Sequence, residues 1–142
     1  MNSVWQMTPS ERLKEWRSFR FTLDDMDDDE CLQAVVDWWK LTPLGKSDIS
    51  IYESKDWPDP WELLWGTDHS EDSIALGVAY TLALSGWPCE VAFIQCQEKS
   101  FLGLVVIVDE QHVLNYTYGC VDNISILDNC EIITRWHSDT LV

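Results

Sequence analysis

The chain has 142 residues, 46% of them hydrophobic and 12% aromatic, which is enough to build one compact domain spanning residues 1–142. Its 25 acidic and nine basic residues give a formal net charge of -16. This balance argues against nucleic-acid and anionic-membrane partners, because phosphate contacts need lysine and arginine. No apolar run approaches the roughly 20 residues of a bilayer-spanning helix, so we expect a soluble acidic domain.

A helical N-terminal part is predicted for residues 1–65. The run Thr8-Pro9-Ser10-Glu11 has the spacing of a capping box with proline in the first turn. It predicts a helix from there to about residue 19, followed by a bend over residues 20–26.

Acidic residues occupy six of the seven positions from 24 to 30. The run lacks the glycine and the closing glutamate of a calcium loop. Acidic side chains in a first helical turn are instead favoured by the positive end of the helix dipole. We therefore interpret the run as the start of a second helix, which continues with apolar residues at helical spacing and ends before Pro43.

Residues 42–60 form an irregular connection rich in proline, with a short strand predicted at 49–52. Trp57, Trp61 and Trp65 follow closely on one another, and residues 61–65 are predicted to form one helical turn. Their clustering is typical of a cover over one end of the core. The alternative is an exposed binding platform, and Trp87 joins these three as a candidate for protein contacts.

Residues 66–142 are predicted to hold one buried helix and an antiparallel sheet. Asp68-x-x-Glu71 has capping-box spacing and opens an apolar helix over 71–84, in which Gly77 allows close backbone approach. Strands are predicted at 89–96, 101–109, 111–117, 123–127 and 131–136, with a tight hairpin at Glu110-Gln111. The fold class is therefore α+β, with N-terminal helices and a central buried helix packed on about four to five antiparallel strands.

The cysteines and histidines show no metal-ligand spacing, so no metal or cofactor is expected. The N-terminus lacks the basic and apolar segments of a secretory signal, which predicts reduced, inert thiols in a cytosolic, non-secreted product. Odd spacing places Cys89 and Cys96 on opposite faces of one strand. The five cysteines are Cys31, Cys89, Cys96, Cys120 and Cys130.

The segment from 70 to 115 resembles the core of transglutaminase-like and papain-like thiol enzymes. Its turn and first strand are Gly86-Trp87-Pro88-Cys89-Glu90-Val91. The resemblance implies a nucleophilic cysteine sixteen residues before the turn, then a histidine and an acid on later strands. These three positions fall on Ser70, on Leu102 and on Asn115. The catalytic cysteine and histidine are therefore unmatched, and we predict that the protein is not an enzyme.

In that family the dipole of the helix stabilises the thiolate, and an adjacent imidazole shares its proton. Asn115 alone suits its implied role, which is to orient the imidazole. An active serine or cysteine hydrolase or acyltransferase remains an alternative, with Ser70 activated by His69 or His112.

Two runs also resemble small proteins of tailed bacteriophages. They are Trp57-Pro58-Asp59-Pro60-Trp61-Glu62-Leu63-Leu64 and, further along, Ile74-Ala75-Leu76-Gly77-Val78-Ala79-Tyr80-Thr81-Leu82. This likeness implies a structural protein of the virion, at a neck, tail or baseplate position and assembled in the host cytoplasm. Its partners would be other virion proteins or copies of itself, with no nucleic acid and no membrane. A further alternative is an acidic inhibitor that mimics DNA and occupies a basic site on a host enzyme.

Overall fold

Four helices precede five strands in the computed structural model, which describes residues 3–45, 49–66, 69–98 and 100–141. No helix in those ranges has the length and apolar character needed to cross a bilayer. The predicted order of helices first and strands afterwards is confirmed. The elements are α1 Pro9–Thr22, α2 Asp28–Lys40, α3 Pro60–Trp65, α4 Glu71–Leu84, β1 Glu90–Cys96, β2 Phe101–Val108, β3 His112–Leu114, β4 Val121–Asn123 and β5 Cys130–His137.

The strands form one five-stranded sheet in the order β4-β3-β2-β1-β5, and every neighbouring pair is antiparallel. The hairpin between β2 and β3 is confirmed, with Asp109 and Glu110 at positive φ. β3 is shorter than predicted because Asn115 turns to a φ of 70° and leaves the strand. The strand predicted at 123–127 is wrong, since Ile124–Leu127 is a 3₁₀ turn behind β4.

Helix α4 lies at the centre of the fold and begins and ends at the predicted residues. Its N-cap is Ser70, whose Oγ accepts a hydrogen bond from the Ser73 N–H at 3.1 Å. Asp68, the predicted cap, lies outside the described residues. Every helical position from Ser73 to Leu82 is buried, which is why the sequence is apolar on all sides here.

Gly77 allows close approach, but what it admits is an indole ring and not a backbone. A Cβ added at Gly77 would stand 2.6 Å from the ring of Trp39 on α2. One turn further on, the buried Thr81 Oγ1 accepts hydrogen bonds from Trp16 Nε1 at 3.0 Å and Trp39 Nε1 at 2.9 Å. The same hydroxyl donates to the Gly77 carbonyl at 2.7 Å. This hub joins α1, α2 and α4 with no hydrogen-bonding capacity left over.

The predicted starts of α1 and α2 are confirmed, although Asp27, expected in the first turn of α2, is its N-cap. Thr8 and Glu11 form the capping box, and Asp27 caps α2 by accepting from the Glu30 N–H at 2.8 Å. That hydrogen bond lowers the pKa of the Asp27 carboxyl. α1 continues to Thr22, three residues beyond the prediction, and the bend predicted at 20–26 is a 3₁₀ turn at Leu23–Asp25.

The strand predicted at 49–52 is absent from the described part of this connection, and residues 51 and 52 form a turn. The Ser50 carbonyl accepts from the Glu53 N–H at 3.2 Å and from Trp57 Nε1 at 2.7 Å. The Ser50 carbonyl oxygen is therefore occupied by the turn and by the indole N–H, and it is not available to pair with a neighbouring strand.

The prediction of reduced thiols is wrong for one pair, because Cys96 and Cys130 form a disulfide. The two residues are direct partners in the β1–β5 pairing, with Cα atoms 4.3 Å apart. Cys89 packs in the core beneath the helices, and Cys96 packs in a second cluster on the other sheet face. The predicted opposite orientation of Cys89 and Cys96 is confirmed.

A buried arginine fastens the N-terminal segment to α3. The Arg12 side chain is 1% exposed and lies over the Trp5 ring at 4.9 Å. Burial lowers the pKa of its guanidinium. All of its hydrogen bonds in the described structure go to backbone carbonyls, those of Val4, Trp5, Met7, Leu64 and Gly66.

Candidate functional site: a cleft at the head of α4

The first turn of α4 opens into a cleft of about 470 Å³. One wall is the start of the helix, the opposite wall is the beginning of β2, and Leu44 and Gly45 close one side. The positions singled out by the family resemblance, Ser70, Leu102 and Asn115, all line it. The fold therefore gathers these three residues around one space, although they are distant in sequence.

The Ser70 hydroxyl is engaged in hydrogen bonds within the first turn of α4. Besides accepting from the Ser73 N–H, its Oγ lies 3.1 Å from the Ser73 Oγ, so the two hydroxyls form a hydrogen bond. An oxygen that caps a helix satisfies a backbone N–H that would otherwise have no partner. The hydroxyl at the nucleophile position is thereby committed to local structure.

The position expected for a general base carries a side chain that cannot transfer a proton. Leu102 is 57% exposed at the cleft mouth. Next to it the Leu104 N–H donates to Asp72 Oδ1 at 2.9 Å, and a Cβ on Gly103 would come within 2.8 Å of the same oxygen. Gly103 is therefore needed for α4 and β2 to be joined this closely.

Asn115 ties the helix to the sheet from the other side. Its Nδ2 donates to the Glu71 carbonyl at 3.1 Å, and the residue is only 6% exposed. The left-handed backbone at Asn115 turns the amide towards the helix, a conformation that asparagine tolerates better than most residues. The group expected to orient an imidazole thus holds the first residue of α4.

No imidazole ring is among the described residues that line the cleft. The His69 ring lies against Trp5, with ring centroids 5.4 Å apart, and its Nε2 is 3.2 Å from the Gly66 carbonyl oxygen. His112 belongs to β3, where it pairs with Val108 and Asn123. The described structure therefore gives no support to the Ser70–His69 and Ser70–His112 pairs.

Two buried cysteines lie away from the cleft. Burial raises the pKa of Cys89 to about 11, although its hydrogen bond with Ser138 acts in the opposite direction. Burial also raises the pKa of Cys31. Both thiols are protonated at neutral pH and lie outside the cleft walls.

The cleft has acidic walls, with Glu71 and Asp72 on one side, but these do not amount to a metal site. Across the described ranges, no three histidine, cysteine, aspartate or glutamate side chains converge as metal ligands would. Chemically the cleft offers hydrogen-bond acceptors, backbone edges and an exposed leucine. These groups can hold a ligand by hydrogen bonds and apolar contact.

The candidate tryptophans separate by exposure. Trp57 is 8% exposed and packs edge-on against Trp136 at 4.7 Å, so it belongs to the core and is no exposed anchor. Trp87 is half-buried against the core. Trp61 and Trp65 are 47% and 58% exposed and line a shallow trough of about 410 Å³ with Glu62 and Gly66. The prediction that these tryptophans cover the core is therefore correct for Trp57 and not for the exposed Trp61 and Trp65.

Comparison with known proteins gives a fold and no family. No protein-family model matches the chain, and no curated protein matches its sequence. Among solved structures, calcium-bound LapG of Legionella pneumophila matches with a TM-score of 0.73 and 15% identity, covering 92% of this chain and 77% of LapG. A second LapG structure and an EGTA-treated one both match at 0.72 and 14%, covering 90% of this chain and 75% and 73% of theirs. The predicted transglutaminase-like fold is confirmed, and identity this low carries nothing further.

Proposed function

We propose that the protein is a non-enzymatic interaction protein built on a catalytically inactive transglutaminase-like fold. The observation that carries the proposal is the use of Ser70 as the N-cap of α4, in a cleft where Leu102 occupies the position of the base.

Acyl transfer by a hydroxyl needs a base that removes its proton as the bond forms. In the described cleft the nearest partner of the Ser70 Oγ is another serine hydroxyl, which is far too weak a base at neutral pH. The Asn115 amide is engaged with the helix backbone. The residues that would supply catalysis therefore stabilise the fold instead.

An acyl-directed fluorophosphonate probe tests this assignment. We expect the wild-type protein and Ser70→Ala to show the same background labelling, measured by intact-protein mass spectrometry. Ser70→Cys is a matched comparison, because a thiol at a helix N-terminus gains thiolate character. The thiol at position 70 should therefore react faster with iodoacetamide in the folded variant than in the unfolded variant. Labelling of the wild type that Ser70→Ala abolishes would favour the hydrolase or acyltransferase instead.

The surface best suited to hold a partner is the trough of Trp61 and Trp65. Aromatic side chains that remain half-exposed offer a large apolar area at small entropic cost and are common anchors of protein interfaces. The Trp61 ring is supported edge-on by the buried Trp16 at 5.7 Å, which keeps it in place. Trp61 and Trp65 are thus prepared anchors.

The proposal extends to a minor component of a tailed-phage virion, at a neck, tail or baseplate position, that binds other virion proteins or copies of itself. Its support is the resemblance of residues 57–64 to phage proteins together with the exposed anchors. Quantitative mass spectrometry of purified particles should find the protein at fixed copy number. A Trp61→Ala/Trp65→Ala double variant should be lost from particles, whereas Tyr52→Ala, which removes another exposed aromatic ring, should be retained. Absence of the wild type from particles would remove this assignment.

The exposed acidic run favours a second candidate, the inhibitor of a host enzyme. All six acidic side chains from 24 to 30 are exposed around the start of α2. A binding site for nucleic acid on the host enzyme would attract such a surface. This candidate requires a host partner whose affinity falls steeply with added salt and on exchange of these acids for amides. Salt-independent binding would exclude it.

A further inference from the structure

A small cavity of about 130 Å³ lies at the opposite end of α4 from the cleft. It is enclosed between the last turns of α1 and the C-terminal end of α4. Its walls are Arg17, Arg20, Phe21, Asp24, Leu84 and Ser85. Two of the nine basic residues of a strongly acidic chain therefore face one small space.

Neither of these two arginines forms an ion pair with a carboxylate in the part of the chain that the structure describes. Across the described ranges, ion pairs within 4.0 Å involve Arg135 and His137, not Arg17 or Arg20. Arg20 instead lies over the Trp16 ring at 4.3 Å. Burial, and then repulsion from Arg17, lowers the pKa of Arg20. The pair therefore presents two positive charges to the cavity, against the single carboxylate of Asp24 in its wall.

Two polar atoms in the cavity wall are also unsatisfied. In the described structure the Arg20 Nε–H and the Ser85 hydroxyl are buried without a hydrogen-bond partner. Buried polar groups without partners are uncommon and costly. Both residues line the cavity, so an acceptor bound there would lie beside both unsatisfied groups.

The remaining walls indicate what carries that acceptor. Phe21 is 72% exposed and Leu84 is 39% exposed, which gives an apolar rim beside the two cations. The Asp24 carboxylate on the same rim disfavours a doubly charged anion. The volume holds roughly four waters, enough for a carboxylate and its first carbons.

We propose that this cavity is a carboxylate site, taking a single carboxylate attached to a short apolar group. The carboxylate accepts hydrogen bonds from Arg17, Arg20 and Ser85, and the apolar group lies on Phe21 and Leu84. The ligand is either a free aliphatic acid or the C-terminus of a peptide ending in an apolar residue. Both present the same chemistry.

The test is a titration of the isolated protein at constant ionic strength, followed by NMR through the Arg20 Nε–Hε signal. Butyrate should give a saturating shift and bind severalfold more tightly than acetate, because the added methylenes contact the rim. Arg17→Gln should weaken butyrate binding about tenfold by removing a charged hydrogen-bond donor. Lys14→Gln, which removes an exposed α1 cation outside the cavity, should leave it unchanged.

Further ligands distinguish a free acid from a peptide C-terminus and show which results would overturn the proposal. N-acetyl-leucine binding more tightly than butyrate would identify a peptide C-terminus, and the reverse would identify a free acid. Inorganic phosphate binding more tightly than both would overturn the choice of a carboxylate. A shift that stays linear up to about 100 mM butyrate, or that is unchanged in Arg17→Gln, would overturn the site itself. Ser85→Ala gives a second variant in which both arginines, and the Arg20–Trp16 contact, are retained.

Discussion

Two hydroxyl groups on α4, eleven residues apart, have opposite surroundings. Thr81 is fully buried and holds two indole N–H groups while donating to a carbonyl. Ser70 stands at the rim of an open cleft, caps the helix and bonds to a second serine. Thr81 in the body of the helix is the more constrained of the two hydroxyls, and Ser70 at its head is the less constrained one.

This difference separates what the body of α4 needs from what its head needs. The packing of α4 against α1, α2 and the sheet needs particular residues along the body of the helix. The head of the helix needs a cap and the two ties made by Asp72 and Asn115. Neither tie requires a nucleophile. Substitutions along α4 should therefore affect stability far more in the body than at the head.

The largest effect is expected for Thr81→Val. Valine keeps the shape but leaves the buried N–H groups of Trp16 and Trp39 without acceptors, which should cost about 3 kcal/mol of unfolding free energy. Urea denaturation followed by tryptophan fluorescence measures this loss. Thr81→Ser retains the hydroxyl and should lose about 1 kcal/mol, the value of one buried methyl group. Equal losses in the two variants would show that the hydrogen bonds are unimportant.

A somewhat smaller effect is expected at alkaline pH. Cys89 lies beneath the body of α4, where its thiol reaches the Ala79 carbonyl at 3.6 Å and burial raises its pKa from 9.0 to about 11. Below pH 9 the thiol is protonated in both states. Between pH 9 and 11 the unfolded chain loses this proton while the folded protein keeps it, so stability should fall by about 2 to 3 kcal/mol.

Cys89→Ala should remove the larger part of that decline between pH 9 and 10, and the Cys31 thiol, whose pKa burial also raises, should account for part of the remainder. Above pH 10 a residual decline should remain, because burial raises the pKa of Tyr80 to about 12. Denaturation midpoints measured at several pH values separate the two contributions. A decline of the same slope in the variant would assign it to other groups.

The smallest effect is expected at the head. Ser70→Ala removes the cap of α4 and should cost about 1 kcal/mol, whereas Ser70→Asp keeps an acceptor there and should cost less. Neither change should alter binding to partners. A loss at Ser70 comparable with that of Thr81→Val would contradict the contrast between body and head.

Much of the fold follows from local sequence signals. Thr8, Asp27 and Gly86 mark helix ends through capping and positive φ, and the largely apolar run from Ile74 to Leu84 marks the buried helix. What local signals could not give is pairing over distance. Cys96 and Cys130 are separated by 34 positions, and the β1–β5 pairing alone brings them together.

The sequence predicted three of the residues that line the cleft, but not the contacts around them. Family spacing grouped Ser70, Leu102 and Asn115, yet the Leu104–Asp72 hydrogen bond depends on how closely β2 approaches α4. Exposure of the tryptophans was equally out of reach. Trp57 and Trp61 both flank Pro58 and Pro60, and three-dimensional packing alone buries the first and exposes the second.

The backbone carbonyls that accept hydrogen bonds from Arg12 should make its contacts insensitive to acid. Surface pairs such as Arg135 with Glu90 dissolve once the carboxylate takes up a proton. Backbone carbonyl oxygens do not take up protons under mildly acidic conditions. The Arg12 hydrogen bonds that join residues 4–7 to the end of α3 therefore need no ionised carboxylate. In a molecule this rich in carboxylates, the N-terminal segment should stay docked while much of the surface charge is being neutralised.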